Sequence, residues 1–183
     1  TLGDSVGIDC TYGPAKWDGV FQYNNDHSTG TVAIDSSSNG NDGTLVNTPT
    51  WTTDNTLPYS WLNQAGYNAG TVFDGTNDYA TTGILPVASG SMEVVFKKGS
   101  AGQKFLFGGR DSTNTRCYIG YDSSKRLTGG IGNESGSTIM GSTAMVAGTI
   151  YTGILTWTGS TVTLELDGAT EYSGAQSGSV GST

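Results

Sequence analysis

The chain has 183 residues, a formal net charge of −8 and a sequence pI near 4.3. It contains only eight Lys and Arg residues, and the basic pairs at 97–98 and 125–126 are isolated, so it lacks the basic stripe that neutralises nucleic-acid phosphates. Its longest apolar runs, such as residues 84–88, are too short to cross a bilayer, so we predict no membrane span.

The composition is that of a turn-rich β protein. Gly accounts for 29 residues, and hydrophobic residues make up only 34% of the chain. This length suits a single β-sandwich or barrel domain. Because such compositions are common in extracellular and virion-surface proteins, we expect one of those two locations.

The chain begins Thr1-Leu-Gly, without Met and without a basic-then-apolar signal segment. This start predicts either that a leader was removed or that the chain is part of a longer protein. The cysteines Cys10 and Cys117 are compatible with one disulfide in an oxidising compartment or with two separate thiols.

The first third of the chain mixes short strands with polar connections. Residues 1–18 lack periodicity and are predicted to form an irregular arm, and residues 47–69 a long polar connection. The strands predicted here cover residues 19–23, 44–46, 70–73 and 79–82.

The remainder shows clearer alternation. Met92, Val94 and Phe96 point one way while Glu93 and Lys97 point the other, as in a half-buried strand. The same alternation places Val162, Leu164 and Leu166 on one face. The strands predicted from these patterns cover residues 91–97, 103–108, 116–121, 126–131, 150–157 and 161–167.

No stretch keeps helical spacing over three turns, so we predict an all-β antiparallel β-sandwich. The sandwich is expected over residues 19–172, and residues 173–183 are predicted to be a Gly/Ser-rich tail or connection.

Several motifs occur in order along the chain: residues 18–23, 31–35 and 38–45, the Phe-Asp-Gly-Thr-Asn-Asp-Tyr segment 73–79, the strand 91–97, and the late hairpin 150–168 that ends in Leu-x-x-Asp-Gly. Together they resemble laminin-G-like, concanavalin-A-like jelly-roll domains. The resemblance implies a jelly-roll fold. It also implies a further closing strand that nothing after Tyr172 matches, which favours a longer parent chain or a neighbour that covers the sheet edge.

Two segments rich in Asp, Asn and Gly, residues 35–45 and 73–79, are here called the first and second Asx loops. Many domains of this fold hold Ca²⁺ at a rim of loops, and calcium prefers six to eight oxygen ligands. The alternative is turn chemistry, in which Asx side chains bond their own backbone. The predicted metal ligands are Asp35, Asn39, Asn41, Asp42, Asp74 and Asp78.

Four aromatic residues lie in or near the polar connection, where some are expected to be exposed. Aromatic faces beside carboxylate and amide groups are typical of sugar-binding sites. The alternative is that these side chains pack in the interior. The predicted ligand-binding residues are Trp51, Tyr59, Trp61 and Tyr67.

Catalysis has little support in the sequence. Glu165 and Asp167 share a strand face, but Asp167-Gly168 is expected to turn the chain and to place Glu171 on the next strand. His27 is the sole histidine and no Gly-x-Ser-x-Gly elbow is present. We therefore predict that the chain is not an enzyme.

The sequence favours a surface recognition module for carbohydrate binding or adhesion, with glycans as partners. The alternative is a structural decoration or fibre domain on a virus particle or cell-surface assembly, with a neighbouring subunit as partner. The patterns that the alternative rests on are the missing closing motif and the arm over residues 1–18.

Overall fold

The computed structural model of the chain describes residues 4–7, 30–35, 39–52, 70–74, 78–81, 89–100, 102, 104–110, 116–132, 138–159 and 161–176. All regular elements in these ranges are β-strands. They are β1 (Asp4–Gly7), β2 (Val32–Ala33), β3 (Gly43–Val46), β4 (Thr50–Thr52), β5 (Gly70–Phe73), β6 (Tyr79–Thr81), β7 (Ser89–Lys97), β8 (Lys104–Arg110), β9 (Arg116–Tyr121), β10 (Arg126–Gly132), β11 (Ile139–Ala144), β12 (Ile150–Thr158), β13 (Thr161–Leu166) and β14 (Ala169–Ala175).

The strands form three sheets in which every pair of neighbours is antiparallel. The long sheet has the order β14-β13-β12-β7-β1-β5-β4, and the short sheet has the order β11-β10-β9-β8. A third sheet, β2-β3-β6, has three strands. The all-β, antiparallel prediction is therefore confirmed for the described residues.

The long and short sheets pack face to face around one core. Alternating side chains of β7, β12 and β13 meet those of β9, β10 and β11, which is the packing of a β-sandwich. Burial of these apolar side chains is the main favourable contribution to the fold. The core residues are Met92, Val94, Phe96, Cys117, Ile119, Tyr121, Leu127, Ile131, Ile139, Met145, Leu155, Trp157, Val162, Leu164 and Leu166.

Several predicted strands match the structure closely. Residues 70–73 and 116–121 match β5 and β9 in full, and residues 91–97 match all but the first two residues of β7. The predicted shared faces of β7 and β13 are confirmed, because their alternate apolar side chains all lie in the core.

Other expectations were wrong. Residues 4–7 are not part of an irregular arm, because β1 pairs with β5 on one side and with β7 on the other. The connection over residues 47–69 includes β4, and the predicted tail overlaps β14, which reaches Ala175. β1 and β4 hold too few alternating apolar residues to be recognised, and their pairing partners are distant in sequence.

Candidate functional site

The first Asx loop is closed by its own carboxylates. Asp35 is 7% exposed and its Oδ2 accepts a hydrogen bond from the Asn41 backbone N–H at 2.7 Å. Asp42 Oδ1 accepts one from the Asp35 backbone N–H at 2.9 Å. Each end of the loop thus bonds the other, which supports turn chemistry as the reason for these acidic residues.

The second Asx loop shows the same pattern. Asp78 Oδ2 accepts a hydrogen bond from the Asp74 backbone N–H at 3.0 Å, and Asp74 Oδ1 accepts one from the Asp78 backbone N–H at 3.4 Å. The Asp74 side chain is exposed and that of Asp78 is half-buried. The reciprocal bonds fix both carboxylates at the start of β6.

The two Asx loops lie at opposite ends of the three-stranded sheet. The first Asx loop runs into the start of β3, whereas the pairing of Val46 with Tyr79 places the second beside the end of β3. Along β3, Asp42 and Asp78 are therefore separated by about 16 Å, given the rise of a strand. One ion cannot take ligands from both loops, so the six predicted metal ligands divide into two separate groups.

Within the described ranges, no three His, Cys, Asp or Glu side chains form a metal-binding group. Asn39, Asn41 and the carboxylates of the first Asx loop nevertheless remain oxygen donors of the kind calcium uses. Calcium binding there stays a prediction. A rise in melting temperature on adding Ca²⁺ that is lost in Asp42→Asn would support it, and an unchanged melting temperature would assign the loop to backbone capping alone.

The structure describes little of the predicted aromatic site. Tyr59, Trp61 and Tyr67 lie outside the described residues, as does His27. Trp51 lies in β4 and its backbone pairs with Thr71 of β5. The ligand-binding roles of these four aromatic residues therefore stay predictions.

Tyr79 is an exposed aromatic residue outside the predicted ligand-binding set. It is 50% exposed on the outward face of the three-stranded sheet, and Val32, which is 43% exposed, lies on the same face on the other side of β3. The register places Thr44 and Val46 on the same face, opposite the buried Ala33 and Leu45. We call Val32, Thr44, Val46 and Tyr79 the β3 platform.

A sequence signal for the β3 platform did exist. Tyr79 follows Asp78 directly, at the start of the predicted strand 79–82, and one face of that strand had to point away from the core. What the sequence did not show is that Val46 and Tyr79 are cross-strand neighbours.

The carboxylates on the outer face of the long sheet are arranged by register. Glu93 lies opposite Ile154, which in turn lies opposite Glu165, so one strand separates the two glutamates. Because neighbouring strands are about 5 Å apart, the backbones of the two glutamates are about 10 Å apart. In a retaining glycosidase the two carboxyl groups are only roughly 5 Å apart. Partial burial raises the pKa of the Glu93 carboxyl above its ordinary value.

The other predicted acidic positions agree with the expected turn. Asp167 has φ 50° and Gly168 has φ 80°, and Asp167 Oδ1 accepts a hydrogen bond from the Thr152 backbone N–H at 2.7 Å. Glu171 lies on the following strand, β14, as predicted. Asp167 therefore lies at the turn between β13 and β14, and its carboxylate bonds the backbone of β12.

Lys98 is a buried cation and is not available to a phosphate group. Its side chain is fully buried, and its Nζ lies 4.1 Å from the centroid of the Tyr121 ring. The same Nζ donates a hydrogen bond to the Gly99 carbonyl at 2.6 Å. This cation–π contact ties the end of β7 to the core.

Cys117 is 1% exposed and packs in the core, whereas Cys10 lies outside the described residues. One disulfide and two separate thiols both stay as alternatives for this pair.

Comparisons with protein-family models, curated proteins and solved structures gave no match to the chain. Across the described ranges, no helix is long and apolar enough to span a membrane.

Proposed function

We propose that the chain is a non-catalytic surface recognition module that binds carbohydrate on the β3 platform. The observation that carries the proposal is the half-exposed ring of Tyr79 beside the second Asx loop. Sugars present apolar C–H faces and hydroxyl edges, so they bind where an aromatic ring lies next to fixed polar groups.

The groups around Tyr79 supply both kinds of contact. The Tyr79 ring would stack against the C–H face of a pyranose, and the exposed Thr44 hydroxyl lies on the same face. The Asp74 and Asp78 carboxylates, fixed by their reciprocal bonds to the backbone, would accept hydrogen bonds from sugar hydroxyls. Because these carboxylates are already fixed, binding would order few side chains, which lowers its entropic cost.

The proposal includes a laminin-G-like, concanavalin-A-like jelly-roll fold and an extracellular or virion-surface location. Two packed antiparallel sheets support the fold proposal at the level of architecture. The order of the motifs along the chain supports the family proposal. Trp51, Tyr59, Trp61 and Tyr67 are proposed to extend the sugar-binding surface.

A structural role on a virus particle or cell-surface assembly is the second candidate. Val32 and Tyr79 are large hydrophobic side chains exposed on one face, and such side chains also suit contact with a protein neighbour. In that case the β3 platform would bind another subunit instead of a glycan.

Glycan-array binding followed by titration of the best ligand tests the proposal. Tyr79→Ala should weaken binding about tenfold or more, a loss of about 1.4 kcal/mol. Tyr79→Phe keeps the ring and should keep most of the affinity. Met140→Ala removes another exposed hydrophobic side chain, on β11, and should change nothing.

Two results would contradict carbohydrate binding at this surface. One is binding that Tyr79→Ala leaves unchanged. The other is an array without hits together with a stable oligomer by light scattering that Tyr79→Ala dissociates, which would support the structural role.

A further inference from the structure

The two sheets of the sandwich are joined along one side, where the edge strand β14 of the long sheet meets the edge strand β11 of the short sheet. Edge strands present unpaired backbone N–H and C=O groups, on which a strand from another molecule can pair. What occupies those groups on β11 and β14 therefore decides whether this side of the sandwich can associate.

Both edge strands have a register shift at the place where they contact each other. On β14, Thr170 pairs with Glu165 and Tyr172 with Leu164, so Glu171 is an extra residue at a β-bulge. On β11, Met140 pairs with Thr128 and Ala144 with Arg126, so residues 141–143 face the single residue Leu127. Bulges redirect side chains and interrupt the backbone ladder.

The carboxylate of Glu171, at the β14 bulge, binds the irregular segment of β11. Glu171 Oε2 accepts hydrogen bonds from the Ser142 N–H at 2.5 Å, the Ser142 Oγ at 2.9 Å and the Thr143 N–H at 2.9 Å. Glu171 Oε1 accepts one from the Thr143 Oγ1 at 2.6 Å. We call Ser142, Thr143 and Glu171, together with the adjacent Gly141, the edge clasp.

Gly141 makes this approach possible. A Cβ atom on residue 141 would lie 2.9 Å from Glu171 Oε2 and 3.2 Å from Glu171 Cβ, closer than side chains normally approach. A larger residue would thus crowd the carboxylate that the Ser142 and Thr143 amides bind, without altering any charge.

A second contact joins the end of β14 to the short sheet. Gln176 is 8% exposed, and its Oε1 accepts a hydrogen bond from the Ile131 backbone N–H at 2.9 Å. Among the described residues, the pairing of β11 with β10 runs from Gly129 to Arg126. A side-chain oxygen therefore takes the position of a backbone acceptor at this point of the edge.

We propose that the edge clasp blocks strand addition by a second copy of this chain along β11 and β14. In the clasp, the backbone amides of Ser142 and Thr143 on β11 donate to the Glu171 carboxylate of the same chain. They are therefore not available to the carbonyl groups of an incoming strand. The bulge at Glu171 removes the regular ladder that such a strand would need on β14.

Size-exclusion chromatography with light scattering, over a range of protein concentrations, tests the proposal. Glu171→Ala and Gly141→Ala open the clasp from opposite sides, and each should give a larger, concentration-dependent mass than the wild type. The matched controls are Glu165→Ala, on the neighbouring strand, and Gly102→Ala, where an added Cβ meets nothing within 4 Å. Both controls should keep the mass of the wild type.

The proposal is overturned if both clasp variants fold and keep the wild-type mass, with only a lower melting temperature. In that case the clasp stabilises the fold and does not control association. Should the two alanine variants fail to fold, Glu171→Asp keeps the charge and shortens the side chain by one methylene, which draws the carboxylate away from the Ser142 and Thr143 amides. Faster hydrogen exchange at these two amides in Glu171→Asp together with a wild-type mass would then reject the proposal, and an increased mass would support it.

Discussion

Glu171 and Glu93 are both glutamates on strands of the long sheet, yet their environments shift the carboxyl pKa in opposite directions. Partial burial acts on each and favours the neutral form. At Glu171 this effect is outweighed by hydrogen bonds from Thr143 and Ser142, which lower the pKa from 4.5 to about 2. At Glu93, burial raises the pKa. The difference shows that donors aimed at a carboxylate, not its exposure, decide whether the charge is favourable.

The backbone explains why only one of the two carboxylates has such donors. Glu93 lies within the regular register of β7, where the neighbouring amides are already paired with β12. Glu171 lies at a bulge and meets β11 at residues 141–143, where regular pairing with β10 is interrupted. An irregular strand thus leaves amides available to an anion, and a regular strand does not.

The largest expected effect is that of Glu171→Ala. Loss of charge-assisted hydrogen bonds should lower the free energy of unfolding by about 1–2 kcal/mol at pH 7, moderated because Ser142 and Thr143 can then bond to water. Urea denaturation of the variant and the wild type gives the difference. An unchanged denaturation midpoint would mean that the edge clasp adds nothing to stability.

The same contact predicts a pH dependence with a defined sign. The folded-state pKa of Glu171, about 2, is below its ordinary value of 4.5. The stabilisation should therefore be complete above about pH 4.5 and decline as pH falls toward 2. Urea denaturation of wild type and Glu171→Ala at pH 7, 4 and 3 should show their stabilities converging, and a constant difference would contradict the assignment.

Glu93→Gln should have a smaller effect of opposite sign. A raised folded-state pKa means that stability is lost as pH rises from 4.5 through that pKa, since the folded protein then holds a disfavoured charge. The variant should be more stable at pH 7 by less than about 1 kcal/mol, because solvent screens a half-exposed group. Thermal unfolding should show no gain at pH 4, and a gain at both pH values would indicate better packing and not charge.

The smallest effect is expected for Glu165→Gln, which serves as the reference for both variants. Glu165 and Glu93 lie on either side of Ile154, on the outer face of the long sheet. Its replacement should change the free energy of unfolding by no more than about 0.5 kcal/mol, as is usual for surface positions. A larger change would show that the two glutamates act together, and would weaken the comparison with Glu171.

The parts of the fold that could be predicted are those with period-two apolar patterns. β7, β12 and β13 bury alternate side chains in the core, and this pattern is visible in the sequence. β1 has no such pattern and is a strand because β5 and β7 flank it. The edge clasp was not predictable either, because it depends on two register shifts that leave no local signal.

For the candidate site, the sequence predicts the turn chemistry of the two Asx loops but not their positions relative to each other. The Asp, Asn and Gly content of both Asx loops is typical of turns, and their reciprocal side-chain-to-backbone bonds agree with that interpretation. Their placement at opposite ends of the three-stranded sheet follows from the pairing of β3 with β2 and β6, which only the assembled sheet reveals. Tyr79 was missed for the same reason.

The separation of the two Asx loops also sets a minimum length for any ligand that touches both of them. With about 16 Å between Asp42 and Asp78 along β3, a single sugar ring can contact one loop only. Under the proposed carbohydrate binding, affinity for the β3 platform should therefore increase stepwise with oligosaccharide length and level off once the oligosaccharide spans the sheet.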